Sequence, residues 1–191
     1  MQVDSNSVAI DNDFLQKALE MQREEERIIY ILSKLFQCIG HNPVIHPLVF
    51  QKEVMHNSIT EKLFAQQIIG TPTWEEIHQN NEAKIQYYTY MLLELYNKFW
   101  GVPLDLGKST VFTYWKREKS LGEIHSLAMC LLCNCGMFLS DDDDSQCISK
   151  LIESYFNKKI VVYTRENVSD IARNNGIELS RSDLRSFAHQ R

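Results

Sequence analysis

Short apolar runs alternate with helical patterns along most of the chain. Four of these runs are continuously apolar, which is typical of strands buried on both faces. They are SVAI at residues 7–10, PVI at 43–45, MFLS at 137–140 and KIVVY at 159–163. Each run is short enough for a strand and too short for a buried helix, so the pattern predicts four strands.

Apolar residues recur at helical spacing between and beyond these runs. The longest such segment is NDFLQKALEMQREEERIIYILSKLF, residues 12–36, which predicts one helix directly after the first strand. Further helical patterns lie at residues 47–55, 59–70, 74–100, 121–136, 143–157, 166–176 and 180–190. Strands alternating with helices predict an α/β fold with a central, mostly parallel sheet covered on both faces.

Length and composition are those of one ordinary globular domain. The chain has 191 residues, of which 44% are hydrophobic and 24% charged, so we expect a single domain over residues 1–191. No apolar run approaches the roughly 18 residues of a membrane span. The N-terminus also lacks the basic and apolar regions of a secretory signal. We therefore expect a cytoplasmic protein with no membrane partner.

Five cysteines, an odd number, argue against a disulfide framework. Cys130 and Cys133 have the CxxC spacing of a zinc site, but no second CxxC or HxxxH pair supplies the remaining ligands. The surrounding stretch SLAMCLLCNCGMF favours a buried helix, where free cysteine behaves as a small apolar residue. Core packing is therefore the favoured interpretation of these cysteines.

The net charge of −5 weakens any function that depends on coating nucleic-acid phosphates with basic residues. Four consecutive aspartates, residues 141–144, follow the third apolar run and repel one another at neutral pH. Divalent cations bound among carboxylates relieve that repulsion, and the formal charge then overstates how negative the surface is. The acidic positions are therefore where chemistry is expected.

The acids fall where the predicted strands end. Asp11 ends the first strand and Asp13 follows two residues later, while Asp141 and Asp142 end the third. Ligands bind at the carboxyl ends of the strands in an open parallel sheet. One edge of the sheet is therefore expected to collect carboxylates from two segments that are far apart in sequence.

Two glutamates near helix starts, Glu53 and Glu123, can project toward the same edge.

Each acid also has an ordinary structural explanation. Asp11, Asp142 or Asp144 can cap a helix, and Glu123 can favour the positive end of its own helix. Capping needs one acceptor per helix, however, and does not account for four aspartates in a row.

The order of these segments resembles the PIN-domain nucleases. In that family an apolar strand ends in Asp-x-Asn or Asp-x-Asp, a glutamate lies on a following helix, Gly-Glu opens a later helix, and an apolar strand ends in Thr/Ser-x-Asp. The matching segments are VAIDND, PLVFQKEV, LGEIHSLAM and FLSDDDD. The resemblance covers roughly residues 7–55 and 119–180. It implies a PIN-like three-layer α/β/α sandwich.

The chain departs from that family in two ways. Residues 56–118 are more than a compact member needs, which predicts a helical insertion within the single domain. Its tyrosine-rich segment is more typical of core and interface than of a base-stacking platform. Asp13 stands where the family usually has Asn, which keeps an oxygen ligand and adds a charge.

The resemblance implies a site that hydrolyses phosphodiesters with Mg²⁺ or Mn²⁺, hard cations that prefer oxygen ligands. The catalytic and metal-binding residues that it implies are Asp11, Glu53, Glu123 and Asp142, with Asp141 as a further metal ligand. The auxiliary residues are Asp13, Ser140 and Asp144. Two bound ions would activate the attacking water and support the leaving oxygen.

Basic residues near the same edge are the candidates for binding substrate. They are Lys17 and Arg165, with Lys116, Arg117 and Lys119 as further positions. Each is also explained as a solvated charge on a helix surface. Members of the family act mostly on RNA, often as the toxin of a toxin–antitoxin pair. The resemblance thus implies RNA, or else single-stranded DNA, as substrate, and an antitoxin protein and a second copy of the chain as partners.

The leading interpretation is a metal-dependent endoribonuclease of the PIN type. The alternative is a catalytically silent PIN-like module whose residues 56–118 mediate protein association. The presence of all four acidic positions favours the enzyme. A phosphohydrolase of the haloacid dehalogenase type is disfavoured, because IDNDFLQK lacks the Thr/Val-Gly-Thr/Val continuation of that family.

Overall fold

The computed structural model describes residues 3–54, 57–116 and 120–189. Within these ranges one sheet has the strand order β2-β1-β3-β4, and every pairing is parallel. The strands are β1 (Ser7–Ile10), β2 (Asn42–Val44), β3 (Met137–Leu139) and β4 (Val161–Tyr163). The predicted α/β class and the four strand positions are confirmed, although β4 starts two residues later than its apolar run indicated.

Helices occupy most of the remaining chain. They are α1 (Asn12–Leu19), α2 (Glu25–Ile39), α3 (Pro47–Val49), α4 (Ser58–Ala65), α5 (Trp74–His78), α6 (Glu82–Trp100), α7 (Leu121–Cys133), α8 (Asp143–Phe156), α9 (Arg165–Asn174) and α10 (Arg181–Ala188). The short helix α3 continues directly into a π-helical turn, Phe50–Val54. This turn matters below because it carries Glu53.

Both faces of the sheet are buried under helices. Ala9 and Phe138 point into a core formed with α5, α6, α7 and α8. Val8, Ile10 and Leu139 point the other way, into a core formed with α1, α2, α4, α9 and α10. This alternation follows the two-residue period of a strand and explains why the strands read as continuously apolar. The arrangement is consistent with a three-layer α/β/α fold.

The prediction of one helix over residues 12–36 is wrong, because α1 and α2 are separate helices with residues 20–24 between them. The apolar stripe explains the break. A continued helix would turn Gln22, Glu25 and Glu26 toward the core, where polar groups are costly to bury. The connecting turn buries Met21 instead, which is 3% exposed.

The described part of residues 56–118 contains the helices α4, α5 and α6, which were predicted, and then loops and turns over residues 101–116; it packs against the rest of the domain. The predicted helix over residues 74–100 is divided at Gln79 and Asn80, both of which have left-handed backbone, and α6 begins after its cap Asn81. The helix α6 packs along α7 and α8 and contributes Tyr88 to the core. This segment therefore forms part of the layer that covers one face of the sheet.

The cysteines of residues 130–135 follow the predicted core packing in part. Cys130 and Cys135 are buried in the core as predicted, whereas Cys133 is half-buried. Among the helices that the structure describes, none is long and apolar enough to cross a membrane.

Candidate functional site at the carboxyl edge of the sheet

The carboxyl ends of β1 and β3 are neighbours, and they form the centre of the candidate site. The chain passes from β1 to β2 on one side and later places β3 on the other, so the connections diverge between β1 and β3. Such switch points are where open parallel sheets bind ligands. The Asp11 amide donates to the Leu139 carbonyl at 2.9 Å, which holds the two strand ends together.

Asp11 lies at this point and is only 3% exposed. It occupies the N-cap position of α1, yet its side chain accepts no capping hydrogen bond from the helix. Capping, the ordinary explanation for this residue, is therefore not what its carboxylate does. Asp13 differs, because it lies on the surface of α1 and pairs with Lys17, with 2.5 Å between Oδ2 and Nζ.

Ser140 is fully buried and connects β3 to the residues around it. Its hydroxyl oxygen accepts from the Asp142 amide at 3.1 Å and from the Ser145 hydroxyl at 2.9 Å. With those two acceptor positions filled, its own proton is directed to Asp11 Oδ2, at 3.4 Å. Ser140 thus orients Asp11.

The four consecutive aspartates have different surroundings. Asp142 caps α8 by accepting from the Asp144 amide at 2.9 Å. Asp144 accepts from the Ser120 hydroxyl at 2.5 Å, which links the starts of α7 and α8. Asp141 accepts from the backbone amide of Arg165 at 2.8 Å and forms a salt bridge with its side chain. Asp143 is exposed in the first turn of α8.

The two glutamates are carried by the π-helical turn and by the first turn of α7. Glu53 lies on the π-helical turn, a geometry that often occurs at functional sites. Glu123 lies in the first turn of α7, where the helix dipole favours an acid. The preceding Gly122 lets α7 lie close to its neighbours, because a Cβ there would be 3.4 Å from side-chain atoms of Val49 and Trp115.

Electrostatic repulsion shows that these acids share one region. Burial raises the pKa of Asp11 well above its ordinary value, and the negative charges of Glu123 and Glu53 raise it further. Burial also raises the pKa of Glu123 to about 7, with added repulsion from Asp142, Glu53 and Asp144. Among the described residues, no lysine or arginine forms a salt bridge with Asp11 or Glu123. Within the described residues, Asp11 and Glu123 therefore carry negative charge that no salt bridge balances.

The predicted substrate-binding residues have unequal access to solvent. Arg165 is 6% exposed and is held by Asp141 and by the Phe187 carbonyl, which accepts from Nη1 at 3.1 Å. It is thus part of the internal structure and has little surface to offer a substrate. Lys17 is partly exposed beside the site, and Lys116 is exposed. Arg117 and Lys119 lie outside the described residues.

A polar groove of about 470 Å³ adjoins Glu53. Its walls are formed by Asn12, Gln16, Glu20, Lys52, Glu53, Asn57 and Trp115. Amide side chains and one indole ring make a surface that can hydrogen-bond and stack against a polar, planar group. The groove was not predicted, because its residues come from four segments that only the fold brings together.

The donor set suits a hard divalent cation, because Asp11, Glu53, Glu123 and Asp142 supply only oxygen atoms. The raised pKa values of Asp11 and Glu123 also favour a bound cation, since a cation would relieve the repulsion between the acids. Within residues 3–54, 57–116 and 120–189, however, no three His, Cys, Asp or Glu side chains are arranged to hold a metal ion. The chemistry of these side chains thus suits a divalent cation, but their positions do not form a complete coordination shell.

Two supporting residues were not predicted from the sequence. Ser120, which binds Asp144, has left-handed backbone with φ of 44°, a strained conformation for a residue with a side chain. Ser145 donates to Ser140 from the first turn of α8. Neither serine stands out in a sequence that contains many, and only their partners reveal their roles.

The chain matches no protein-family model, no curated protein and no solved structure.

Proposed function

We propose that the protein is a metal-dependent endoribonuclease with a PIN-like fold. The observation that carries this proposal is that Asp11, Glu53 and Glu123 lie around the switch point between β1 and β3. The pKa values of Asp11 and Glu123 are raised there, and within the described residues no lysine or arginine forms a salt bridge with either. Acids such as Asp11 and Glu123, whose charge no described basic residue balances, are suited to bind a cation from solution. The order of the acidic segments, which resembles the PIN-domain nucleases, is the second support.

In this proposal the ligands are Asp11, Glu53, Glu123 and Asp142, and the cofactor is Mg²⁺ or Mn²⁺. When bound, such ions polarise the phosphate, lower the pKa of bound water and support the leaving oxygen. Ser140 keeps Asp11 oriented through the contact at 3.4 Å. Asp141 holds α9 to the end of β3 through Arg165 and is therefore assigned to the structure around the site and not to metal binding.

RNA is the proposed substrate. The groove beside Glu53 offers hydrogen-bonding amides and the ring of Trp115, while Lys17 supplies a positive charge nearby. The net charge of −5 makes tight binding through phosphates alone unfavourable, so metal ions are expected to provide much of the attraction. An antitoxin partner and a dimer remain predictions from the family resemblance.

Cleavage of a mixed pool of structured and single-stranded RNA tests the proposal. We expect cleavage in Mg²⁺ or Mn²⁺, and its loss both in EDTA and in Asp11→Asn. Asp143→Asn is the matched control, because it removes the same charge from an exposed aspartate of the consecutive run. Equal activity in Asp11→Asn and Asp143→Asn would exclude Asp11 from the chemistry. A wild type that neither cleaves RNA nor binds either metal in calorimetry would refute the enzyme.

One observation favours the second candidate, the silent association module. The outer surface of α6 and α8 exposes Tyr87, Tyr90 and Tyr155, which are 44%, 55% and 57% exposed. Tyr87 and Tyr90 lie with their rings nearly parallel, 6.4 Å apart. Exposed aromatic residues in one region are typical of protein interfaces. This surface is separate from the acids and does not compete with the enzyme proposal.

A further inference from the structure

Three buried polar side chains form a continuous hydrogen-bonded link behind the candidate site. His46 Nε2 lies 3.1 Å from the Tyr88 hydroxyl, and the same hydroxyl lies 2.7 Å from His125 Nδ1. His46 and His125 are fully buried and Tyr88 is 1% exposed. We refer to these three residues as the histidine–tyrosine bridge.

The bridge has one direction of donation. The Leu48 amide donates to His46 Nδ1 at 3.2 Å, so that nitrogen is an acceptor and the proton of the neutral ring lies on Nε2. His46 Nε2 therefore donates to the Tyr88 oxygen, and the Tyr88 hydroxyl donates to His125 Nδ1. Both rings are fully buried, which favours the neutral form of each imidazole. The Tyr88 hydroxyl thus forms a hydrogen bond with both rings, which also pack against each other with their centroids 5.0 Å apart.

Each end of the bridge belongs to an element that carries a proposed metal ligand. His46 caps α3, and its carbonyl accepts from the Phe50 amide, the first residue of the turn that carries Glu53. His125 lies two residues after Glu123 on α7. Tyr88 comes from α6, in the segment that the sequence identified as an insertion. The bridge therefore connects the segment that carries Glu53 with the helix that carries Glu123, through a residue of a third helix, α6.

Packing alone does not require these polar groups. Buried polar side chains contribute less to stability than apolar residues of similar size unless every partner is in place, and they restrict the arrangement that is allowed. The aromatic neighbours Trp74 and Phe112 already fill the space around Tyr88. What the hydroxyl adds is a fixed distance between α3 and α7.

We infer that the Tyr88 hydroxyl is a positioning group that fixes the segment carrying Glu53 relative to the start of α7, which carries Glu123, so that both carboxylates can serve the proposed divalent cation. This inference rests on the proposed function. It also gives residues 56–118 a role in the site, because α6 supplies the central member of the bridge. Tyr88 touches neither substrate nor metal in this role and acts only through the two histidines.

Tyr88→Phe tests the inference, because it removes the hydroxyl and keeps the ring. We expect the Mn²⁺ dissociation constant measured by calorimetry, and with it the Mn²⁺ concentration for half-maximal RNA cleavage, to rise about tenfold or more, as is typical when an outer-shell partner is lost. The KM for RNA should change little. Tyr96→Phe is the matched control, since it makes the same change at another buried tyrosine of α6. A purely structural role would lower the melting temperature of Tyr88→Phe and leave its Mn²⁺ dependence equal to that of Tyr96→Phe.

Substitutions at His125 provide an independent test. Asparagine offers an oxygen close to the position of Nδ1, so His125→Asn should keep the bridge and a nearly normal Mn²⁺ dependence. His125→Leu cannot accept the bond and should resemble Tyr88→Phe. If the two residues act through one bond, the double variant Tyr88→Phe/His125→Leu should be no worse than either single variant.

The outcomes separate the two proposals. If the wild type cleaves RNA with metal and Tyr88→Phe has the same Mn²⁺ dependence as Tyr96→Phe, the inference is wrong and the nuclease proposal stands. If His125→Leu and His125→Asn behave alike, the bond between Tyr88 and His125 has no positioning role. If the wild type neither binds Mn²⁺ in calorimetry nor cleaves, the nuclease proposal fails and this inference fails with it.

Discussion

Asp11 and Asp183 are equally buried, each 3% exposed, but the fold treats their carboxylates in opposite ways. Asp183 Oδ2 lies 2.5 Å from Arg27 Nη2 and accepts from the Ser180 hydroxyl at 2.6 Å. These contacts lower the pKa of Asp183 to about 2. Asp11 has other carboxylates as its charged neighbours, and its pKa is raised.

The comparison shows that burial alone does not identify a functional acid. Asp183 joins α10 to α2 and completes a capping box with Ser180, so its charge is balanced within the fold. Asp11 and Glu123 carry charge that the described fold leaves unbalanced. An arrangement that costs stability is retained at a site more often than elsewhere, because function needs it. The predictions below test this contrast.

The largest expected effect is the loss of cleavage in Asp11→Asn. Removing one ligand should lower the rate at saturating RNA by about 100-fold or more, beyond what an outer-shell change costs. Asp183→Asn is the comparison of equal burial and should keep the wild-type rate per folded molecule. The measurement is RNA cleavage at 25 °C, with the folded fraction determined by circular dichroism. Similar losses in both variants would mean that burial, and not the site, explains the effect.

The second effect is a gain in stability when Glu123 is neutralised. Its pKa of about 7 in the fold exceeds its ordinary value of 4.5, so the folded protein binds the proton more tightly than the unfolded chain does. Ionisation therefore destabilises the fold, with the cost developing between pH 4.5 and about 7 and complete above that. At about 1.4 kcal/mol per pH unit, the full cost is about 3 kcal/mol.

We therefore expect metal-free Glu123→Gln to be more stable than the wild type at pH 8, by up to about 3 kcal/mol, and nearly equal to it below pH 4.5. Urea unfolding at several pH values measures the difference. Glu153→Gln on the exposed face of α8 is the control and should show no such pH dependence. A difference between wild type and Glu123→Gln that stays the same from pH 4 to pH 8 would contradict the raised pKa of Glu123.

The third effect is a loss of stability in Asp183→Asn, opposite in sign to that of Glu123→Gln. The salt bridges to Arg27 and Arg23 and the bond from Ser180 are weakened, and we expect a loss of about 1–2 kcal/mol at pH 7 because the arginines are partly exposed. The lowered pKa means that this stabilisation is complete above pH 3.8 and is lost as the pH falls through about 2. Acid titration of wild type and variant, followed by circular dichroism, should show the two converge.

The sequence predicted the sheet and the shared edge at which Asp11 and the segment after β3 lie, because both follow from local rules. Continuous apolar runs give parallel strands, and such strands end at a common edge. It did not predict the Asp141–Arg165 salt bridge or the link from Tyr88 to His46 and His125. Those contacts depend on how helices pack, and no local pattern distinguishes a buried polar partner from an exposed one.

The break between α1 and α2 was missed for a related reason. The charged stretch near Glu25 and Glu26 is compatible with an exposed helix, and only the position of the core shows that a continued α1 would bury it. Arg165 was misjudged in the same way, since a basic residue after a strand is usually exposed. Both cases show that the sequence indicated which residues are polar but not which of them the packing encloses.

The smallest expected effect is that of substituting Lys17, a basic residue near the unbalanced acids. Its pairing with Asp13 is between half-exposed groups one helical turn apart, so Lys17→Gln should change stability by no more than about 0.5 kcal/mol. If Lys17 contacts RNA, the variant should weaken binding and reduce the dependence of log K on log salt by about 0.7 for one lost phosphate contact on a single strand. Fluorescence anisotropy in Ca²⁺, which should not support cleavage, measures both. Lys150→Gln on α8 is the control, and an identical salt slope for the two variants would remove Lys17 from the RNA path.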